Sequence, residues 1–120
     1  MSRKRLVTVV DDDEAVLHSM RFLLEIAGYS VAAYNSAAAF LNGGLDQAAC
    51  LIVDHHMPDM TGLELVTHLR EASSSIPALL VTASPSATLI DRAHELGIRV
   101  LEKPVGADEF FEFIEGHHSK

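Results

Sequence analysis

Carboxylates and a lysine stand where short apolar runs end. Leu6-Val7-Thr8-Val9-Val10 stops in Asp11-Asp12-Asp13-Glu14, and Cys50-Leu51-Ile52-Val53 stops in Asp54. Ala78-Leu79-Leu80-Val81 runs into Thr82-Ala83, and Ile98-Arg99-Val100-Leu101 into Glu102-Lys103-Pro104. If these runs are neighbouring parallel strands, Asp11, Asp12, Asp54, Thr82 and Lys103 meet at one edge of a sheet, where ligands bind in open α/β folds. Crowded carboxylates repel, and at least one pKa rises unless a cation joins them. Lys103 supplies a single positive charge. Mg²⁺ favours a few carboxylate oxygens, a carbonyl and water, and it commonly bridges to phosphate. A carboxylate can take a phosphoryl group as an acyl phosphate. The metal and Lys103 would stabilise charge on the transferring oxygens, and Thr82 could donate a hydrogen bond to them.

The pattern between these runs must bring them together. Val16, Met20, Leu23, Leu24 and Ala27 form one apolar stripe at helical spacing, stopped by Gly28. Ser30 to Tyr34 reads as a weaker strand at the sheet edge. Ser36 opens a short helix through Leu41, broken by Asn42-Gly43-Gly44. Gly62, Leu65, Val66 and Leu69 share one helical face. Ser84, Pro85 and Ser86 signal another helix start, with Leu89, Ala93 and Leu96 inward and Gly97 at its end. The last helix is expected to bury Ala107, Phe110, Phe111 and Ile114. Strand and helix alternate throughout, which predicts an α/β fold: a parallel sheet with helices on both faces.

With 120 residues the chain suits one domain of common size, and its 48% hydrophobic content supplies a core. Residues 1–120 are expected to form a single domain. A formal net charge of -8 argues against a nucleic-acid-binding surface, so Arg3-Lys4-Arg5 reads as a solvated flank. The lone Cys50 heads an apolar run and reads as a small hydrophobe in a reducing compartment. No stretch reads as a membrane span or a signal-peptide core, so the expected location is the cytoplasm.

The acidic pair Asp11-Asp12, the run Asp54-x-x-Met57-Pro58-x-Met60-x-Gly62, then Thr82-Ala83 and Lys103-Pro104 together resemble the receiver domain of two-component response regulators. The likeness covers essentially the whole chain. It implies a flavodoxin-like, doubly wound five-stranded parallel sheet in the order 2-1-3-4-5. It implies that Asp54 is the phosphoacceptor, and that Asp11 and Asp12 hold Mg²⁺ with Asp54 and the backbone carbonyl of His56. Lys103 would pair with the phosphoryl group. Thr82 would turn inward as the switch, with Ala83, Ser84, His56, Val100 and Pro104 tuning it. A cis bond between Lys103 and Pro104 is also implied. The donor would be a phosphohistidine on a sensor histidine kinase or phosphotransfer protein. The surface over 82–105 would then signal a partner or output domain, with slow self-dephosphorylation and no turnover chemistry. Leu63-Glu64-Leu65 and Leu101-Glu102-Lys103-Pro104 most resemble receivers joined to helix-turn-helix output domains; the chain is expected to be a stand-alone receiver or an excised one. An exposed Phe113, with Val100 and Ile90 nearby, would make a homodimer or partner surface on the fourth helix, fifth strand and fifth helix. Direct nucleic-acid or membrane binding by this chain is not expected.

Two features depart from that family. Its usual Tyr or Phe before the lysine is Val100 here, a stiff side chain with no comparable swing, which directs the expected signal through the 82–86 backbone. His55 and His56 are also unusual occupants. His56 is expected at the site mouth, opposite Ser84, tuning how water reaches the acyl phosphate. Asp13 is expected to cap the first helix and Asp12 to be the ligand, although the two could exchange roles. Asp59 reads as a solvated loop residue, and His18, His68 and His94 as helix-surface residues. His117-His118 read as exposed and inert. Phe113 lies off the main stripe and fits either the core boundary or a partner surface with Ile90 and Val100. Asp11-x-Asp13 resembles the catalytic pair of haloacid-dehalogenase-type phosphatases, and Asp54-His55-His56 resembles the motif of a phosphoesterase family. Both need further motifs and a larger body. The main alternative is a non-phosphorylated interaction module on the receiver fold. Val100 favours it, and the complete set Asp11, Asp12, Asp54, Thr82 and Lys103 opposes it.

Overall fold

A computed structural model describes residues 5–43 and 48–116. Arg3, Lys4, His117 and His118, read above as solvated or inert, lie outside the described residues. Strands and helices alternate: β1 Leu6–Val10, α1 Glu14–Ile26, β2 Ser30–Tyr34, α2 Ala37–Gly43, β3 Cys50–Asp54, α3 Gly62–Glu71, β4 Ala78–Thr82, α4 Ala87–Glu95, β5 Arg99–Glu102 and α5 Ala107–Gly116. The five strands are parallel, in the order β2-β1-β3-β4-β5. This is the sheet order that the family resemblance implies. The small-residue strand β2 takes one edge, as expected, and β5 takes the other.

Side chains alternate across a strand, and here each row enters a different core. Val7, Val9, Cys50, Ile52, Leu79 and Val81 pack with α1 and α5. Val10, Leu51, Val53 and Leu80 pack against the other helices. Burial pushes the Cys50 thiol up to about 12, so it is an inert core group.

The helices are set by local chemistry. Asp13 caps α1, its carboxylate accepting the N–H groups of Ala15 and Val16. Thr61 and Glu64 form a reciprocal capping box at α3. Ser86 caps α4. The α3 stripe of Gly62, Leu65, Val66 and Leu69 is buried as expected. Arg70 on α3 donates to the carbonyls of Leu96 (3.0 Å) and Ser74 (3.1 Å), fastening the end of α4.

Several expectations change. In α1 the buried residues are Leu17, Met20 and Leu24, while Ala27 is exposed; the stripe is rotated so that the bulky Leu17 faces inward in preference to a terminal Ala. In α5 Ala107 is exposed and Phe113 is 1% exposed, beside Phe110 and Ile114. The partner-surface reading of Phe113 is therefore overturned. It is a core residue, one helical turn from Phe110. Ile90 does remain exposed. Asp59 is an exposed loop residue, as expected, and its carboxylate also accepts the Ala38 N–H at 2.9 Å and the Met60 N–H at 3.1 Å. The bond from Ala38 holds its carboxyl below the usual carboxylate range.

Gly62 fixes how closely α3 approaches the sheet. Its N–H donates to the His55 carbonyl at 2.9 Å. A Cβ added there would lie 2.6 Å from the Asp54 carbonyl oxygen and 2.6 Å from Leu80 Cδ1. Gly62→Ala should lower the unfolding free energy by roughly 1–3 kcal/mol, the overpacking range, in urea denaturation. Gly43→Ala, which meets nothing within 4 Å, should stay within about 0.5 kcal/mol of wild type. Equal effects from the two would mean that the contact at Asp54 is slack.

Candidate functional site

Asp54 ends the row that carries Cys50 and Ile52, and Asp11 extends the row of Val7 and Val9. The two-residue period therefore sends both carboxylates to the α1/α5 side of the sheet. Lys103 follows Leu101, which packs on that same side. Backbone bonds carry the ladder past the strand ends: Asp11 N–H to Tyr34, His55 N–H to Val81, and Lys103 N–H to Thr82 at 2.9 Å. The Lys103–Pro104 bond is cis, as the family resemblance implies.

Asp11, Asp12 and Asp54 each present a ligand oxygen within 4.8 Å of the others. Asp11 and Asp54 are buried and Asp12 is exposed. Lys103 Nζ lies 2.7 Å from Asp54 Oδ1. Beyond that ion pair, Oδ1 is buried with no hydrogen-bond partner. Burial raises the Asp11 pKa. The Asp13 N–H, which Asp11 accepts at 2.9 Å, opposes that rise, while the charge of Asp54 adds to it. Burial pulls the Lys103 ammonium down, but the contact with Asp54 and the charges of Asp11 and Asp12 outweigh it and leave it raised. Three formal negative charges thus face one positive charge. The donors are hard oxygens, one buried oxygen lacks a full set of partners, and charge remains to be neutralised. Those are the properties of an Mg²⁺ site, and the residues fit that ion.

Beside the carboxylates a cavity of about 600 Å³ opens between α1, α5 and the sheet. Val16, Met20, Ile52, Val81 and Phe110 line its apolar wall, and Asp11, Asp54 and Lys103 its charged end. No sequence signal announced its apolar wall, because each of those residues reads as ordinary core.

Thr82 behaves differently. It follows Leu80 in the row facing α3 and α4, and it is fully buried. Its Oγ1 accepts the Ser84 N–H at 3.2 Å and lies 3.1 Å from His56 Nε2. Among the described residues its hydroxyl has no bond to Asp54. The His56 ring thus reaches Thr82 directly, whereas the expectation placed it opposite Ser84. His55 and His56 meet edge to face, with ring centroids 5.0 Å apart. Burial, and then the neighbouring His56, lower the His55 pKa, and its Nδ1 lies 3.4 Å from the Leu63 N–H. Ala83, Ser84 and Pro104 are exposed, and Val100 is half-buried.

The geometry has counterparts among known proteins. The family described as "Response regulator receiver domain" matches residues 7–115. The transcriptional regulatory protein FixJ of Bradyrhizobium diazoefficiens is 36% identical over 118 residues, covering 96% of this chain and 57% of that protein. The response regulator protein TodT of Pseudomonas putida is 31% identical over 93% of this chain and 50% of its own length. The chain therefore spans about half the length of these curated relatives. Among solved structures, full-length FixJ from B. japonicum superposes with a TM-score of 0.85 at 34% identity, over 98% of this chain and 59% of that one. A CheY-like receiver protein from Methanospirillum hungatei gives 0.87 at 26% identity, over 95% and 93%. By sequence, sheet order and the carboxylates gathered at the sheet edge, the chain belongs to the response regulator receiver domain family.

Proposed function

We propose that the chain is a phosphorylation-dependent signalling switch that accepts a phosphoryl group on Asp54 from a phosphohistidine. The donor protein would be a sensor histidine kinase or a phosphotransfer protein. The observation that carries this reading is the buried Asp54 carboxylate, flanked by Asp11 and Asp12 and paired with Lys103 at 2.7 Å. An Asp54 carboxylate oxygen attacks phosphorus, the histidine N–P bond breaks, and the histidine nitrogen leaves with the electron pair and takes up a proton. The product is an acyl phosphate. Lys103 stays paired with the new oxygens and offsets their charge. Asp11, Asp12, Asp54 and the His56 carbonyl would hold Mg²⁺, which supplies neutralising charge to the phosphoryl oxygens when bound. Thr82 would turn toward the phosphoryl group and carry the change into the 82–105 surface. Residues 1–120 would act as one receiver unit in the cytoplasm, signalling a partner or an output domain. Ile90 and Val100 place apolar area on the α4–β5–α5 face that a homodimer would use. The chain would not turn over substrate, and its acyl phosphate would decay by slow self-hydrolysis.

Incubation with Mg²⁺ and a small phosphodonor should add one phosphoryl group by intact-mass analysis, and Asp54→Asn should show none. A beryllofluoride mimic covers the case of rapid hydrolysis. If the wild type takes up neither, the phosphoacceptor reading fails and the interaction-module alternative stands.

The electrostatics give a second expectation. A group whose folded pKa is raised contributes stability that is complete below its unfolded pKa and lost as pH rises through the folded value. For Asp11 the metal-free domain is therefore penalised at neutral pH. Asp11→Asn keeps the acceptor for the Asp13 N–H and removes the charge. In a chelator at neutral pH it should raise the melting temperature, and this gain should vanish in acid. Millimolar Mg²⁺ should raise the wild-type melting temperature and leave the variant nearly unmoved. An Asp11→Asn variant that is less stable in chelator would contradict the account.

A further inference from the structure

Thr82 is the switch residue in the reading above, yet its hydroxyl is already engaged elsewhere. A backbone N–H only donates, so the Ser84 bond at 3.2 Å occupies one lone pair of Oγ1. The O–H and a second lone pair remain, and His56 Nε2, at 3.1 Å, engages one of them. Whichever of the two groups donates, the bond holds Thr82 toward the loop after β3. Strand alternation also points Thr82 to the α3/α4 side, while Asp54 and Lys103 pair on the other. To reach a phosphoryl oxygen on Asp54 the Thr82 side chain must turn across the sheet edge, and that turn carries Oγ1 away from His56. Val100, which lies opposite Leu80 in the β4–β5 register, is short, stiff and apolar. It offers the hydroxyl no bond in either position.

We propose that His56 is a positioning residue that latches the Thr82 switch in its resting place, so that its ring sets how readily the phosphorylated state forms. The proposal rests on Asp54 being the phosphoacceptor. The latch is built from one exposed and one fully buried side chain, so the ring can be removed without opening the core. His55 braces it edge to face and is itself tied to the first turn of α3 through Leu63.

The test is beryllofluoride affinity in Mg²⁺, measured by nuclear magnetic resonance titration on wild type, His56→Ala, Thr82→Ala and the double variant. His56→Ala keeps the backbone carbonyl and removes only the ring. It should bind beryllofluoride about threefold to tenfold more tightly than wild type, the factor for one hydrogen bond present only in the resting state. In the Thr82→Ala background the same change should have no effect, because no hydroxyl is left to hold. Unchanged or weaker binding by His56→Ala overturns the latch. So does an equal gain in both backgrounds, which would mean that the ring merely blocks the site. Absence of beryllofluoride binding by the wild type would instead overturn the phosphoacceptor reading, and the latch with it.

Discussion

Three carboxylates converge on one end of the sheet, and the fold sets a single ammonium against them. Burying like charges is costly unless they are paired and hydrogen-bonded. The Asp54–Lys103 contact answers only part of that cost, as the raised pKa of Asp11 records. The surrounding architecture makes the arrangement tolerable. Two layers of apolar side chains, one on each face, supply stabilisation, and the strained charges sit only at the strand ends, where cation and solvent can reach them. The resting site is thus held in a state of unmet charge that a bound cation would relieve.

The sheet also partitions the machinery. Asp11, Asp54 and Lys103 face α1 and α5, and Thr82 faces α3 and α4. In the proposed switch, chemistry and readout would therefore lie on opposite sides of one layer of backbone, connected at its edge by the loops after β3 and β4. Gly62 matters to both sides because it lets α3 close directly on the Asp54 carbonyl. The same peptide that presents the carboxylate is pressed by the helix that follows it.

Much of this was legible in the residue order. Strands that end in Asp11, Asp54, Thr82 and before Lys103 are punctuated by chemistry that core packing does not call for, and alternation with helices implies the parallel sheet. The division between the two faces was not legible. Strands buried on both sides carry no polar alternation to show which residue faces which way. Phe113 misled for a related reason: α5 is apolar around enough of its circumference that a stripe can be drawn through Phe111, although Phe113 is the more deeply buried. Asp59 and His56 make their bonds to residues distant in sequence, Ala38 and Thr82, and local pattern carries no trace of such pairs. The cis bond before Pro104 came from family likeness alone.

The Arg70 guanidinium makes α4 a lever. Its two bonds tie the carbonyl of Leu96, at the end of that helix, to α3 and the Ser74 turn. The other end is joined through Ser86 and Pro85 to the strand that carries Thr82. A rod of 9 residues is roughly 13 Å long. Fixed at its tail, such a rod answers a push at its head by swinging, with little sliding along its own axis. A small displacement at the sheet edge would thus turn the whole helix about Leu96, moving the first turn of α4 farthest and Leu96 least.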